Sequence, residues 1–294
     1  MASILAPACV LPCRDALGEV PLWHSPTNCL WWIDVRAPNI QSWNPSTGEH
    51  HKFGLPTTSV GSWAFRQQGG MLVSLRDGLY AFDSVSGQAN RLLAIEDDVA
   101  GHRLNDGRAD NQGRFWIGTM HDTVRGPTGS VYRVDPDLSV RKVFGHVDIP
   151  NSTVFSPDDK LMYFADSPAK KIWVFDFDLE EGRVSNRREF VDCTADAGVP
   201  DGSAIDQDGC LWNANYGGSR IVRYTPAGKV DRVIPLPVTQ PTCCTFGGPG
   251  LDILYITTAS QKLTPEQLAL QPLAGGLFSV RTDTRGLPVP CFGG

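Results

Sequence analysis

Several things are absent or scarce in this 294-residue chain. No apolar run approaches the roughly 20 residues that a helix needs to cross a bilayer. The N-terminal stretch MASILAPACVLPCRDALGE is short of a charged leading region and is interrupted by Pro7 and Pro12, so it does not read as a signal peptide. No basic tail or basic cluster stands out among 26 Lys and Arg against 32 Asp and Glu, a net charge of −6, which argues against nucleic acid as a partner. The eight cysteines, at 9, 13, 29, 193, 210, 243, 244 and 291, form no CxxC pair and no regular framework. Buried free thiols in a reducing, cytoplasmic setting are the simpler expectation. A GxSxG nucleophile elbow, an HExxH zinc helix, a P-loop and a strand-linked GxGxxG are all missing, which removes the commonest serine-hydrolase, zinc-protease and nucleotide-binding readings. Helical periodicity is nearly absent too. The best candidate is LTPEQLALQPL, where Thr264 suits the cap, Pro265 the first helical position and Glu266 the first turn.

What the chain has instead is a repeated pattern. A turn rich in Asp, Asn or Gly precedes a short aromatic and aliphatic run in SPTNCLWWIDV, RQQGGMLVSL, DNQGRFWIGT, SPDDKLMYFAD, DQDGCLWNAN and GGPGLDILYIT. The spacing, roughly 40–50 residues, lies in the range of propeller repeats. Further strand-like runs follow most of them, such as GSVYRVDPDLSVRKV and KIWVFDFDLEEGRVS, in which apolar and polar residues alternate. Six units of about four strands each predict an all-β fold, a six-bladed β-propeller, as one domain over residues 1–294. The expected blades are 14–55, 56–98, 99–147, 148–193, 194–236 and 237–288. EVPLWH is a candidate for the N-terminal strand that completes the last blade.

Polar residues stand where four of the units begin: Glu19 in LGEVPLW, Arg103, Asn105 and Asp106 in HRLNDGRAD, Asn151 in IPNSTVFSPD and Asp201 in VPDGSAIDQDG. Equivalent positions of successive blades face one axis. Glu19, Asn105, Asn151 and Asp201 would therefore converge, and two carboxylates with two amide oxygens form a set for a hard divalent cation in a central metal-binding channel. Taken singly, each of these residues would also serve as a turn or strand-cap residue.

Those motifs, together with RLNDGRADNQGRFWIGTM, NSTVFSPDDKLMYFADS, PDGSAIDQDGCLWNA and TCCTFGG…LYITTA, resemble the senescence-marker-protein/gluconolactonase family, which includes regucalcin-type proteins. The resemblance covers nearly the whole chain. It implies a six-bladed propeller with one divalent cation, Ca²⁺ first and Zn²⁺, Mn²⁺, Mg²⁺ or Fe²⁺ as alternatives, and hydrolysis of a sugar lactone. It implies Glu19, Asn151 and Asp201 as metal ligands, with Asn105 at the cavity, and Arg103 and Asp122 on substrate hydroxyls. Asp201 is the candidate general base. Val20 stands where the family pattern has the second Gly of GEGP, and Ser152 where it often has Gly after the Asn. Both bear on the shape of the pocket. His121 is a further cavity candidate, and Asn215 and Tyr216 are candidates for the pocket's mouth. Cys243-Cys244 reads as two small apolar strand residues, and His50-His51 as a solvated pair.

The expected partner is a small sugar lactone, a pentonolactone or gluconolactone, with no membrane and a monomeric chain. The alternatives are a non-enzymatic calcium-binding propeller, or a hydrolase of other esters such as phosphotriesters or aryl lactones. A polyhydroxylated substrate suits the polar Arg103 and Asp122 better than those esters do.

Overall fold

The computed structural model describes residues 6–294; the first five residues of the apolar N-terminal stretch lie outside the described residues. Six four-stranded antiparallel sheets form the six blades of a β-propeller. Five of the sheets run in chain order from an innermost to an outermost strand, and in the sixth the outermost strand comes from the N-terminal end of the described residues. The innermost strands are Gly18–His24, Val60–Phe65, His102–Ala109, Pro150–Phe155, Val199–Ile205 and Pro241–Gly247, blades one to six. They fall within a few residues of the starts expected from the repeat.

Ring closure differs from the sequence expectation. EVPLWH belongs to the innermost strand of blade one, Gly18–His24. The strand that completes blade six is Ala8–Leu11, which pairs antiparallel with Leu277–Arg281 through Ala8 opposite Ser279 and Cys9 opposite Phe278. The reason is pattern. In Gly18–His24 five of the seven residues are buried except for Glu19 and His24 at intermediate exposure, as a strand walled in by blades on both sides must be. Ala8–Leu11 is only part-buried, which suits an outer edge.

The turn-and-aromatic motif has a physical role of its own. In blade three, Asp110 accepts hydrogen bonds from the backbone N–H groups of Gln112 (3.0 Å) and Arg114 (3.1 Å), and from the indole of Trp116 (2.8 Å). Asp206 repeats this in blade five with Asp208, Cys210 and Trp212. Asp15 receives the indole of Trp32 in blade one. Trp32, Trp63, Trp116 and Trp212 are fully buried. An indole brings a large apolar surface and one N–H that must be satisfied when buried; the turn aspartates satisfy two of the four, and Asp15, ahead of the innermost strand of blade one, a third. Trp63 uses the backbone carbonyl of Val20.

The C-terminal segment crosses the end of the channel where the innermost strands finish. Gln207 N–H donates to Arg285 O at one side, and Phe292 N–H to Phe65 O at the other. Phe292 is completely buried under this strap. The short helix Pro265–Leu270 is present where expected. Thr264 accepts from Gln267 N–H, and the Gln267 side chain in turn accepts from Thr264 N–H. Among the described residues, no helix is long and apolar enough to cross a membrane.

Candidate functional site

Every innermost strand carries a bulge in its pairing with the next strand: between Glu19 and Leu22, Val60 and Ser62, Leu104 and Gly107, Asn151 and Val154, Pro200 and Ser203, and Pro241 and Cys243. A bulge leaves extra residues unpaired and re-aims their side chains. Here the bulges fall where Glu19, Asn105, Asn151 and Asp201 stand, with Asp106 beside Asn105. Blade two places Gly61 at this level. A Cβ there would lie 2.4 Å from Leu104 O, so only glycine lets blade two pack on blade three. Gly202 is held in the same way, since its Cβ would lie 2.4 Å from Cys243 Sγ.

Val20 and Ser152 occupy these bulges with φ of 47° and 58°. Left-handed backbone is what glycine offers for nothing and what a β-branched valine resists. Ser152 is compensated. Its hydroxyl donates to Asp201 O and accepts from the Asn213 amide at 3.0 Å, tying blade four to blade five directly behind the candidate base.

All six sequence-predicted site residues, Glu19, Arg103, Asn105, Asp122, Asn151 and Asp201, line one cavity of about 220 Å³ at the end of the channel where the innermost strands begin. Arg103 is 4% exposed and spends its guanidinium on three acceptors: Asp122 Oδ1 (2.8 Å), Leu104 O (2.9 Å) and Asn105 Oδ1 (2.7 Å). Asn105 passes the order on, donating to Pro150 O at 2.8 Å and to Asn151 Oδ1 at 3.2 Å. Asn151 donates its own amide to Ser167 Oγ at 2.8 Å, which leaves its oxygen turned to the cavity side of the network. Burial, with Arg36 as a like-charged neighbour, lowers the Arg103 pKa to about 10. Burial raises the Asp122 carboxyl, but the hydrogen bonds and charges of Arg36 and Arg103 outweigh it and bring the pKa down to about 2.

The deep end of the cavity is acidic. Burial pushes the pKa of Glu19 well up, and the charges of Asp201 and Asp106 push it further. Burial and then Asp106 do the same to Asp201, and burial raises Asp106 to about 6. Glu19 meets only the N–H of its own neighbour Val20, and no side-chain donor reaches Asp201. Asp106 has the Thr153 N–H and the charge of Arg108, and Glu19 feels Arg103, but burial outweighs these in all three acids; carboxylates gathered out of water in this way are costly, and a hard cation is a group that relieves them. Among the described residues no group of three or more His, Cys, Asp or Glu side chains is placed to hold a metal ion. An ion here would use the amide oxygen of Asn151 with the carboxylates of Glu19 and Asp201, and this oxygen-only set suits Ca²⁺, Mg²⁺ or Mn²⁺.

Sequence reasoning singled out Asp106 as a polar residue without giving it a place in the site, although it sits beside Asn105 in the same motif. It missed most of the rim: Arg36, Arg125, Gln261 and Lys262 also line the cavity. Tyr216 does line it, as expected of the mouth, and bonds Gln240. Asn215 does not; it is fully buried in blade five. His121 is not among the lining residues. Its Nδ1 accepts instead from the backbone N–H groups of Thr123 and Val124 and shapes the turn after its strand. His50 is not simply solvated, because it stacks on Trp32 at 5.5 Å and bonds Gln41. Cys243 and Cys244 are buried strand residues whose thiols are raised by burial, the opposite of a reactive thiolate. All eight cysteines are free, four of them buried.

A second cavity, of about 240 Å³, lies at the other end of the channel beneath the C-terminal strap. Its walls include Phe155, Phe246 and Leu287–Pro290, and the acid cluster does not reach it.

Residues 17–260 match the model of the SMP-30/Gluconolactonase/LRE-like region. Regucalcin of Oryctolagus cuniculus is 35% identical over 97% of this chain and 98% of its own. The 6-deoxy-6-sulfogluconolactonase of Pseudomonas putida is 37% identical over the same shares. Among solved structures, the calcium-binding protein regucalcin from Agrobacterium tumefaciens superposes with a TM-score of 0.94 at 28% identity, covering 99% of both chains. With the family model spanning most of the chain, and these relatives nearly its full length, the chain belongs to the SMP-30/gluconolactonase family.

Proposed function

We propose that this protein is a metal-dependent sugar lactonase that opens an aldonolactone to the aldonic acid. The observation that carries the reading is the division of one cavity into an acidic, oxygen-only floor and a hydrogen-bonding wall built on Arg103. A lactone needs its carbonyl polarised and a water made nucleophilic. Glu19, Asn151 and Asp201 would hold a divalent cation, Ca²⁺ being the first candidate, which when bound would supply Lewis acidity for that carbonyl. Asp201 takes the proton of the attacking water as the new C–O bond forms; the ring acyl C–O bond then breaks, and the departing oxygen takes up that proton as the hydroxyl of the aldonic acid. Ser152 and Asn213 hold the Asp201 backbone from behind, so the carboxylate keeps its aim. Asp122 and Asn105, fixed by Arg103, receive and orient ring hydroxyls. A gluconolactone or a pentonolactone fits these contacts, and the name of the Pseudomonas putida relative supports the gluconolactone side. We take the protein as a single-domain monomer in the cytoplasm.

The regucalcin relatives favour a second reading, a calcium-binding propeller without catalysis. One experiment separates the two: lactone hydrolysis followed by pH drop on chelator-treated protein, with single divalent ions added back. Activity restored by an ion and abolished by Asp201→Asn supports the lactonase. Tight ion binding with no turnover of pentono- or hexonolactones rejects it in favour of the binding protein.

A further inference from the structure

The floor and wall of the cavity are occupied by the proposed reaction, but its rim is not. Arg36, Arg125 and Lys262 line the same cavity above Arg103, in a chain whose net charge is −6. Among the lining residues the one carboxylate outside the acid cluster, Asp122, is already shared. Its Oδ1 lies 2.9 Å from Arg36 and 2.8 Å from Arg103, and Arg76 stands 3.7 Å from its other oxygen. Arg103 is buried and saturated, so Asp122 is the counter-charge it cannot do without. Arg36 is left with a third share of one anion. Arg125 is 44% exposed, faces Asp148 only at 3.5 Å, and is steadied by donating Nη2 to the His121 and Asp122 carbonyls. Lys262 makes no ion pair among the described residues. Its left-handed backbone, φ 62°, sits in the loop between blade six's second strand and the short helix.

The cavity is therefore polarised along its length, with acids deep inside and surplus cations at the mouth. A neutral sugar has no use for the surplus, and each rim cation left unpaired repels its neighbours when the cavity is empty. An anion at the far end of the substrate would answer all three at once, through the charge-assisted bonds that guanidinium groups make well. We infer that the preferred substrate is an anionic sugar lactone, carrying a phosphate, sulfonate or carboxylate remote from the lactone carbonyl and seated between Arg36, Arg125 and Lys262. This rests on the lactonase reading for the other end of the molecule. It also gives the substrate an orientation, since cation-bound carbonyl and rim-bound anion fix both ends.

The test compares kcat/KM for glucono-1,5-lactone, its 6-phosphate, its 6-deoxy-6-sulfonate and a glucaric acid lactone, in wild type and in Arg125→Gln and Lys262→Gln. At least one anionic lactone should exceed the neutral one by about tenfold or more, and the preference should shrink about tenfold in each variant and in high salt. The phosphate, sulfonate and carboxylate arms show which anion the rim takes. Equal or better use of the neutral lactone by wild type, or a preference untouched by both variants, overturns the inference. Calorimetry with gluconate and 6-phosphogluconate runs alongside and needs no turnover. If no lactone is hydrolysed, the lactonase reading fails, and the rim is judged on binding alone. Tighter binding of the phosphorylated acid that weakens in the variants sustains it, and equal binding rejects it.

Discussion

Asp110→Ala should be among the most damaging single substitutions in the chain, although Asp110 touches nothing in the cavity. Asp110 is 1% exposed and accepts from two backbone N–H groups, from Arg114 Nε at 2.7 Å and from the Trp116 indole. Arg114 is itself buried, and its other partners are the carbonyls of Leu179 and Glu180 in the neighbouring blade, not another acid. Removing the carboxylate strands a buried guanidinium, which costs about 3–5 kcal/mol. The indole N–H left unsatisfied adds about 1–3 kcal/mol before relaxation. Because the two losses share one void, about 4–5 kcal/mol is the expected total. With an unfolding entropy near 0.6 kcal/mol/K for a chain of this length, the melting temperature should fall by about 7 °C. Asp206→Ala is the control, since it removes the equivalent aspartate of blade five. There Arg223 keeps Asp231 at 2.7 Å and Asp208 at 3.1 Å, so no charge is stranded. About 2 kcal/mol and about 3 °C are expected. Calorimetric melts of both variants at one scan rate decide the matter. A loss in Asp206→Ala equal to or larger than that in Asp110→Ala would refute the stranded-charge argument.

Other outcomes follow from the cavity. Arg103→Lys keeps the charge but cannot serve three acceptors from one plane, so kcat/KM should fall about ten- to a hundredfold in steady-state assays; a change under threefold would show that the fork does not matter. After chelation, a divalent ion at about a hundred times its Kd should stabilise the protein by about 2.7 kcal/mol, or about 4 °C. Asp201→Asn should abolish most of that shift in the same melts. The Asp122 pKa is depressed in the folded chain to about 2, so its contribution is present at neutral pH and lost as the pH falls from about 4 toward 2. Wild type and Asp122→Asn should therefore converge in urea midpoint across that window, and a gap that persists at the acid end would contradict the pairing with Arg36 and Arg103.

The repeat was legible because every blade begins with the same burial requirement, and the site residues stood out because a polar side chain at an innermost strand breaks it. What the sequence could not show was the bulge. It puts two consecutive residues of RLNDG to use, so Asp106 joins the acid cluster although strand alternation would turn it away from Asn105. The two departures from the family pattern keep left-handed backbone, with φ of 47° at Val20 and 58° at Ser152; Ser152 is compensated by its hydroxyl bonds, and nothing among the described residues compensates Val20 in that way. Arg36, Arg125 and Lys262 were invisible for a different reason. They sit on connections that vary from blade to blade, so no register aligns them. EVPLWH was misplaced because an edge strand and an innermost strand of similar length differ chiefly in how completely they are buried, and ALGEVPLWH gives no such measure before packing is known.

The pairing of Ala8–Leu11 with Leu277–Arg281 has a temporal consequence. A ribosome delivers the first of these strands almost 270 residues before its partner, and at about 5–20 residues per second the wait is on the order of tens of seconds. For most of that interval, until Pro241–Gly247 emerges, the innermost strand of blade one lacks its blade-six neighbour, and the acids of the channel stand in an open arc. Contacts this distant along the chain are the slowest to form. The cavity therefore comes into being last, as a property of the closed circle that no partial set of blades possesses.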